Sequence, residues 1–108
     1  MALALPTPIA SYFAAAQKGD SDALARCFVD AGFVKDEGAT FKGLADIKRW
    51  NVETREKYHH MVEPLELLER GEKVVVIGRV SGNFPNSPID LEHIFQLRGE
   101  KILSLEIC

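Results

Sequence analysis

Three side chains in this sequence combine a proton-carrying group with apolar surroundings. Asp36 ends the alternating run Phe33-Val34-Lys35-Asp36 and shares the face of Val34. A carboxylate at the mouth of an apolar hollow has its pKa raised, which suits a general base. The competing assignment is a turn aspartate, because Glu37-Gly38 follows. His93 lies in a second alternating run. Ile89, Leu91, His93, Phe95 and Leu97 share one face of it, and Asp90, Glu92, Ile94 and Gln96 share the other. His93 is therefore the one ionisable group on an apolar face. It is placed to act as acid, base or hydrogen-bond donor to a ligand, or to be a core histidine satisfied by a neighbour. Tyr12 belongs to an apolar helical stripe and carries a hydroxyl, either as a functional group or as the polar end of a packed ring.

Other chemistries find little support. His59 and His60 are adjacent in a segment that reads as a strand, so they point to opposite faces. With no cysteine or carboxylate at ligand spacing beside them, no metal site is expected. There is no glycine-rich phosphate loop and no serine–histidine or cysteine–histidine arrangement, so no cofactor is expected. Cys27 and Cys108 do not make a disulfide framework. They read as small hydrophobes in a reducing, cytoplasmic setting.

The chain has 108 residues, 46% of them hydrophobic and 27% charged, with a formal net charge of −3. These values indicate one globular domain over 1–108. Charges of both signs are interspersed without a basic stripe, which argues against nucleic acid. No apolar run has the length of a membrane span, and the opening MALALPTP lacks the basic region of a signal peptide.

The elements that must position these groups follow from period and punctuation. Thr7-Pro8 predicts a helix start, with Ile9, Tyr12, Phe13 and Ala16 as its stripe and Gly19 as its end. Asp20 and Ser21 predict the cap of a second helix that buries Leu24, Cys27 and Phe28 and closes at Gly32. A short strand over 33–36 and a return segment at Phe41 precede a third helix from about Leu44 to Lys57. That helix aligns Leu44, Ile47, Trp50, Thr54 and Tyr58, and Trp50 either lines the hollow or fills it. From His59 the period falls to 2, and strands are expected over 59–69, 73–82, 89–97 and 101–107. Two of their turns read Arg-Gly-Glu-Lys, and the third is the proline-stiffened stretch 83–88. Gly78 and Gly82 are expected to permit curvature or close packing. The sum is an α+β fold, with three N-terminal helices in the hollow of a strongly curved antiparallel sheet.

The run from Tyr12 to Leu24, Tyr-Phe-Ala-Ala-Ala-Gln-Lys-Gly-Asp-Ser-Asp-Ala-Leu, continues through Phe28 and Val34 to Asp36 and resembles the opening of the ketosteroid isomerases. His93-Ile-Phe-Gln-Leu and Lys101-Ile-Leu-Ser-Leu extend the resemblance over nearly the whole chain. It is similar to ketosteroid isomerase-like or SnoaL-like members of the nuclear transport factor 2 superfamily, whose fold is a cystatin-like cone. The resemblance implies that Tyr12 donates a hydrogen bond to a substrate oxygen and that Asp36 moves the proton. In the isomerases a second aspartate, kept protonated on a late strand, completes the oxyanion hole. Here that slot holds His93 if the register is anchored on Phe95, or Glu92 if anchored on Lys101. The first keeps an apolar inner face. Trp50, Phe95, Leu91, Phe13, Phe33 and Tyr58 are then the expected ligand-lining residues.

The function expected is a small apolar-pocket protein for a carbonyl-bearing molecule. It is either a cofactor-free isomerase, lyase or cyclase with Asp36 as base, or a non-catalytic binding or interaction module. Large aliphatics on the outer face of strand 73–82 predict a homodimer through the sheet, whichever register holds, and the resemblance implies the same.

Overall fold

A computed structural model describes residues 3–108 as three helices and six strands; the first two residues of the apolar opening stretch lie outside the described residues. Helix α1 (Thr7–Lys18) starts after Pro6, with Pro8 in its first turn, where a missing N–H leaves no bond unmade. Thr7 is the first helical residue and makes no capping bond, so the expected hydroxyl cap is absent. Gly19 ends the helix in the left-handed region at φ 74°. Asp20 then caps α2 (Ser21–Arg26), accepting the Ala23 N–H at 3.0 Å.

The second helix stops earlier than expected. Phe28 already begins strand β1 (Phe28–Asp36), and Gly32 lies inside that strand. Leu24, Cys27 and Phe28 fit a buried helical face equally well, because a short apolar run does not separate helix from strand. Tertiary bonding decides: the Ile102 N–H reaches the Cys27 carbonyl at 2.8 Å, and Phe28 pairs with Ile102. After β2 (Ala39–Lys42), helix α3 runs over Leu44–Tyr58. His59 takes a left-handed conformation at φ 48° and caps it, so the next strand begins at Met61 rather than at 59. His59 and His60 are therefore not strand neighbours.

Strands β3 (Met61–Arg70), β4 (Lys73–Ser81), β5 (Ile89–Arg98) and β6 (Lys101–Ile107) form the meander. Both Arg-Gly-Glu-Lys sequences make the tight turns between them, with Gly71 and Gly99 at positive φ. The sheet order is β2-β1-β6-β5-β4-β3. All pairings are antiparallel except β1 with β6, which is parallel. Register shifts at Pro64/Glu66 and at Gln96/Leu97 mark bulges, which bend strands and raise their twist.

Register separates the two faces. Val76 pairs with His93, Val74 with Phe95 and Leu105 with Phe95. Val76, Phe95 and Leu105, with Val74 packed against them, join Ile9, Tyr12, Leu24, Ile47 and Trp50 of the helices in one core. The helices thus cover the concave face. Among the described residues no helix is long and apolar enough to cross a membrane.

Candidate functional site

The core does not fill the hollow completely. A cavity of about 220 Å³ remains between α1, α3 and the inner face of the sheet, and Tyr12, Asp36, Trp50 and His93 all reach its wall. Alternation along β1 accounts for Asp36: it shares the inner face with Val34, which is fully buried beside Leu105. Trp50 stands on α3 and donates its indole N–H to Asp36 Oδ2 at 3.0 Å. Trp50 therefore lines the cavity and also orients the carboxylate. Burial raises the Asp36 pKa above the usual carboxylate value, and the neighbouring Glu37 adds to this. The bonds from Trp50 and from the Glu37 backbone act in the opposite direction.

Tyr12 is placed by the α1 stripe. Its ring meets Phe13, Phe28 and Phe95 edge to face, with centroids 5.2, 6.2 and 5.5 Å away. This packing fixes the ring and leaves the hydroxyl without a protein hydrogen-bond partner among the described residues. Burial, then the charge of Asp36, raises its pKa, so the group stays a hydroxyl and a donor.

His93 is 2% exposed on the inner face, and Glu92 points outward to Arg70. The position that faces the hollow is thus His93. Gly78, on the adjacent strand, makes room for it: a Cβ there would stand 2.8 Å from Cε1 and 3.0 Å from Nδ1 of His93. The ring's Nδ1 lies 3.2 Å from the Leu91 carbonyl oxygen. That oxygen only accepts, so the neutral ring carries its proton on Nδ1. Burial lowers the His93 pKa from 6.5 to about 4, so the ring is neutral at physiological pH. In this tautomer Nε2 is an acceptor, and the Val76 backbone is a second neighbour of the ring. Such a ring offers a ligand an acceptor, one of the roles open to a histidine at this position. Asp36 moves up and His93 down, the pattern of two separately desolvated groups; an ion pair would move each the other way.

Of the six residues expected to line the cavity, Trp50, Tyr58 and Leu91 do so. Tyr58 also bonds Glu37 Oε1 at 3.0 Å and meets Phe84 edge to face at the mouth. Phe13 and Phe95 are core residues, 2% and 0% exposed, packed against Tyr12 and His93 rather than forming the wall. Phe33 is on the other side of the sheet: it pairs with Ser104 while Val34 faces the hollow. Period 2 assigns residues to faces, but does not tell a filler from a liner.

Sequence reasoning missed Asn51, Thr54 as a wall residue, and His60. Asn51 carried a signal, since positions 44, 47, 51, 54 and 58 trace one helical stripe with a polar amide at its centre. His60 carried none, because it follows an unforeseen helix end. Burial and the charge of Arg55 lower its pKa, and its Nδ1 is buried without a partner. No group of three or more histidine, cysteine or acidic side chains is arranged to hold a metal among the described residues.

Comparison with known proteins agrees with this architecture. The SnoaL-like domain family matches residues 9–105. A candidate polyketide cyclase from Sinorhizobium meliloti is 38% identical with a TM-score of 0.92, over 96% of this chain and 95% of that one. A Catenulispora acidiphila protein of ketosteroid isomerase-like fold, solved with trimethylamine, is 22% identical with a TM-score of 0.83, over 97% and 86% of the two chains. TerC, co-crystallised with polyporic acid, is 19% identical with a TM-score of 0.81, over 94% and 87%. Other solved neighbours are described as having nuclear transport factor 2-like and cystatin-like folds. No curated protein matches the chain.

Proposed function

The chain belongs to the SnoaL-like domain family, and from that premise we propose that it is a cofactor-free enzyme moving a proton next to a carbonyl of a small molecule, in an isomerase, lyase or cyclase step. One observation carries this reading: Asp36 stands at the wall of a largely apolar cavity, held by Trp50, with burial raising its pKa. A base is most effective when its pKa approaches the working pH. In this reading Asp36 takes the proton from the carbon beside the carbonyl, and the electron pair moves to the carbonyl oxygen. The Tyr12 hydroxyl donates to that oxygen as its charge develops. His93 Nε2 accepts from a hydroxyl of the same ligand, and Trp50, Tyr58 and Leu91 hold its apolar part. The relative with a polyketide cyclase description is consistent with carbonyl-bearing ligands.

The cavity, at about 220 Å³, lies below the roughly 300–1,000 Å³ of drug-sized sites, which favours one or two rings over four. A homodimer through the outer sheet face and a cytoplasmic setting belong to the same reading, consistent with two free cysteines.

Exchange of the α-hydrogens of 2-tetralone with solvent deuterium, followed by proton NMR, tests the base without knowledge of the natural substrate. The protein is expected to accelerate exchange. Asp36→Asn, which keeps the shape and removes the base, is expected to lower that rate by about 10²–10⁴-fold with binding changed far less. Acceleration that survives Asp36→Asn would remove Asp36 as base. Binding without any acceleration would leave the non-catalytic module.

A further inference from the structure

Asn51 is a polar side chain at the centre of an apolar stripe, and it is 3% exposed. Burying an amide there is costly unless its hydrogen bonds are made. One end is made: Ser21, at the first residue of α2, donates its hydroxyl to Asn51 Oδ1 at 2.6 Å. With the oxygen engaged in this way, the end of the amide left over is the NH₂ group, which only donates. The NH₂ has no protein partner among the described residues, and Asn51 forms part of the cavity wall. A leucine at this position would extend the apolar stripe but leave the buried Ser21 hydroxyl without its acceptor. Beyond that acceptor, an asparagine adds a donor facing the ligand space.

The rest of the wall makes that donor more telling. Asp36 is an acceptor when ionised, and His93 presents its unprotonated Nε2. Tyr12 is a donor, but the isomerase-type site would need a second one, and His93 in this tautomer offers an acceptor. We infer that Asn51 is a ligand-binding residue, its amide NH₂ donating to an acceptor oxygen of the bound molecule, with Ser21 as the positioning residue that holds the amide. The ligand class that follows is a molecule presenting a carbonyl or enolate oxygen toward α3. This role for Asn51 rests on the cavity being the ligand site.

The test uses 2-tetralone and tetralin, which share a shape and differ in one carbonyl. In ¹⁵N-labelled protein the Asn51 side-chain NH₂ resonances are expected to shift with 2-tetralone and not with tetralin, while the Trp50 indole resonance responds to both. Asn51→Asp keeps an acceptor for Ser21 and removes the donor. It is expected to weaken 2-tetralone binding about tenfold, the worth of one hydrogen bond, and to leave tetralin unchanged. Ser21→Ala, which touches no ligand, is expected to lose the same preference for the ketone. The wild-type spectra decide even if a variant fails to fold. If 2-tetralone moves Trp50 but not the Asn51 amide, the assignment of Asn51 is overturned and the ligand site stands. If 2-tetralone moves no cavity resonance, the ligand-site reading falls and Asn51 falls with it.

Discussion

The two faces of the sheet come from the same strands, residue by residue, and treat polar groups in opposite ways. On the concave face His93 is nearly sealed, its partner is a backbone carbonyl, and Gly78 gives up a side chain to admit it. On the convex face, Glu92 and Asp90 of the same strand pair with Arg70 and Arg79 in contact with solvent. Exposed pairs of that kind contribute little to stability. Between them lie the part-exposed Ile77, Ile94 and Leu68, with Val75 fully buried among them. The concave face thus carries isolated polar groups in apolar surroundings, where burial changes their proton affinity. The convex face carries an apolar strip bordered by charge, the composition of a contact surface.

The largest expected effect that distinguishes the faces is acid sensitivity. His93 has its folded pKa depressed from 6.5 to about 4, so its contribution is present above 6.5 and is lost as pH falls through about 4. That loss amounts to about 3 kcal/mol. His60, also shifted down, acts with the same sign. Denaturant titrations between pH 7 and pH 4 are expected to show a much flatter decline in His93→Gln than in the native chain. An unchanged slope would mean that the ring is not buried as a neutral group.

Next is Gly78→Ala. Its Cβ meets the His93 ring on the crowded face, and overpacking of this kind costs about 1–3 kcal/mol. Thermal unfolding measures it, and a loss of the His93 shift toward low pKa would accompany a displaced ring. A neutral outcome would show that the concave face has room to spare.

Asp36→Asn tests the comparison from the other side. A carboxylate whose folded pKa is raised contributes stability below its unfolded pKa and loses it as pH rises through the folded value. The variant is therefore expected to be more stable than the native chain at pH 7, with the gain disappearing near pH 3. The substitution proposed to remove the base would then stabilise the fold. A less stable variant at pH 7 would mean that the Trp50 bond outweighs desolvation.

The convex face sets the last expectation, a twofold change in mass. Sedimentation at micromolar concentration is expected to give twice the 12.0 kDa of one chain, and Ile94→Glu to give the monomer. A native monomer would leave that strip without a partner.

Much of this was legible in the amino-acid order. The change of period from about 3.6 to 2, the paired Arg-Gly-Glu-Lys turns and the alternation around His93 were enough for three helices, a meander and an α+β fold. Those signals are local: each is set by residues within a few positions of one another. The same alternation put Asp36 on the face of Val34 and His93 on an apolar one. The end of α2, the start of β3 and the fate of Phe33 were not legible, because each depends on a partner far along the chain: Ile102 for Phe28, α3 for His59, Ser104 for Phe33.

The roles within the cavity belong to tertiary structure alone. Sequence determined which residues carry protons, and on which face of its own element each one lies. Only the packed fold decided that the indole of Trp50 reaches Asp36, that the Leu91 carbonyl selects the His93 tautomer, and that Ser21 meets the Asn51 amide. A hydrogen bond requires two groups at one distance and angle, and burial requires a third element to exclude water. Neither is a property of a single stretch of chain.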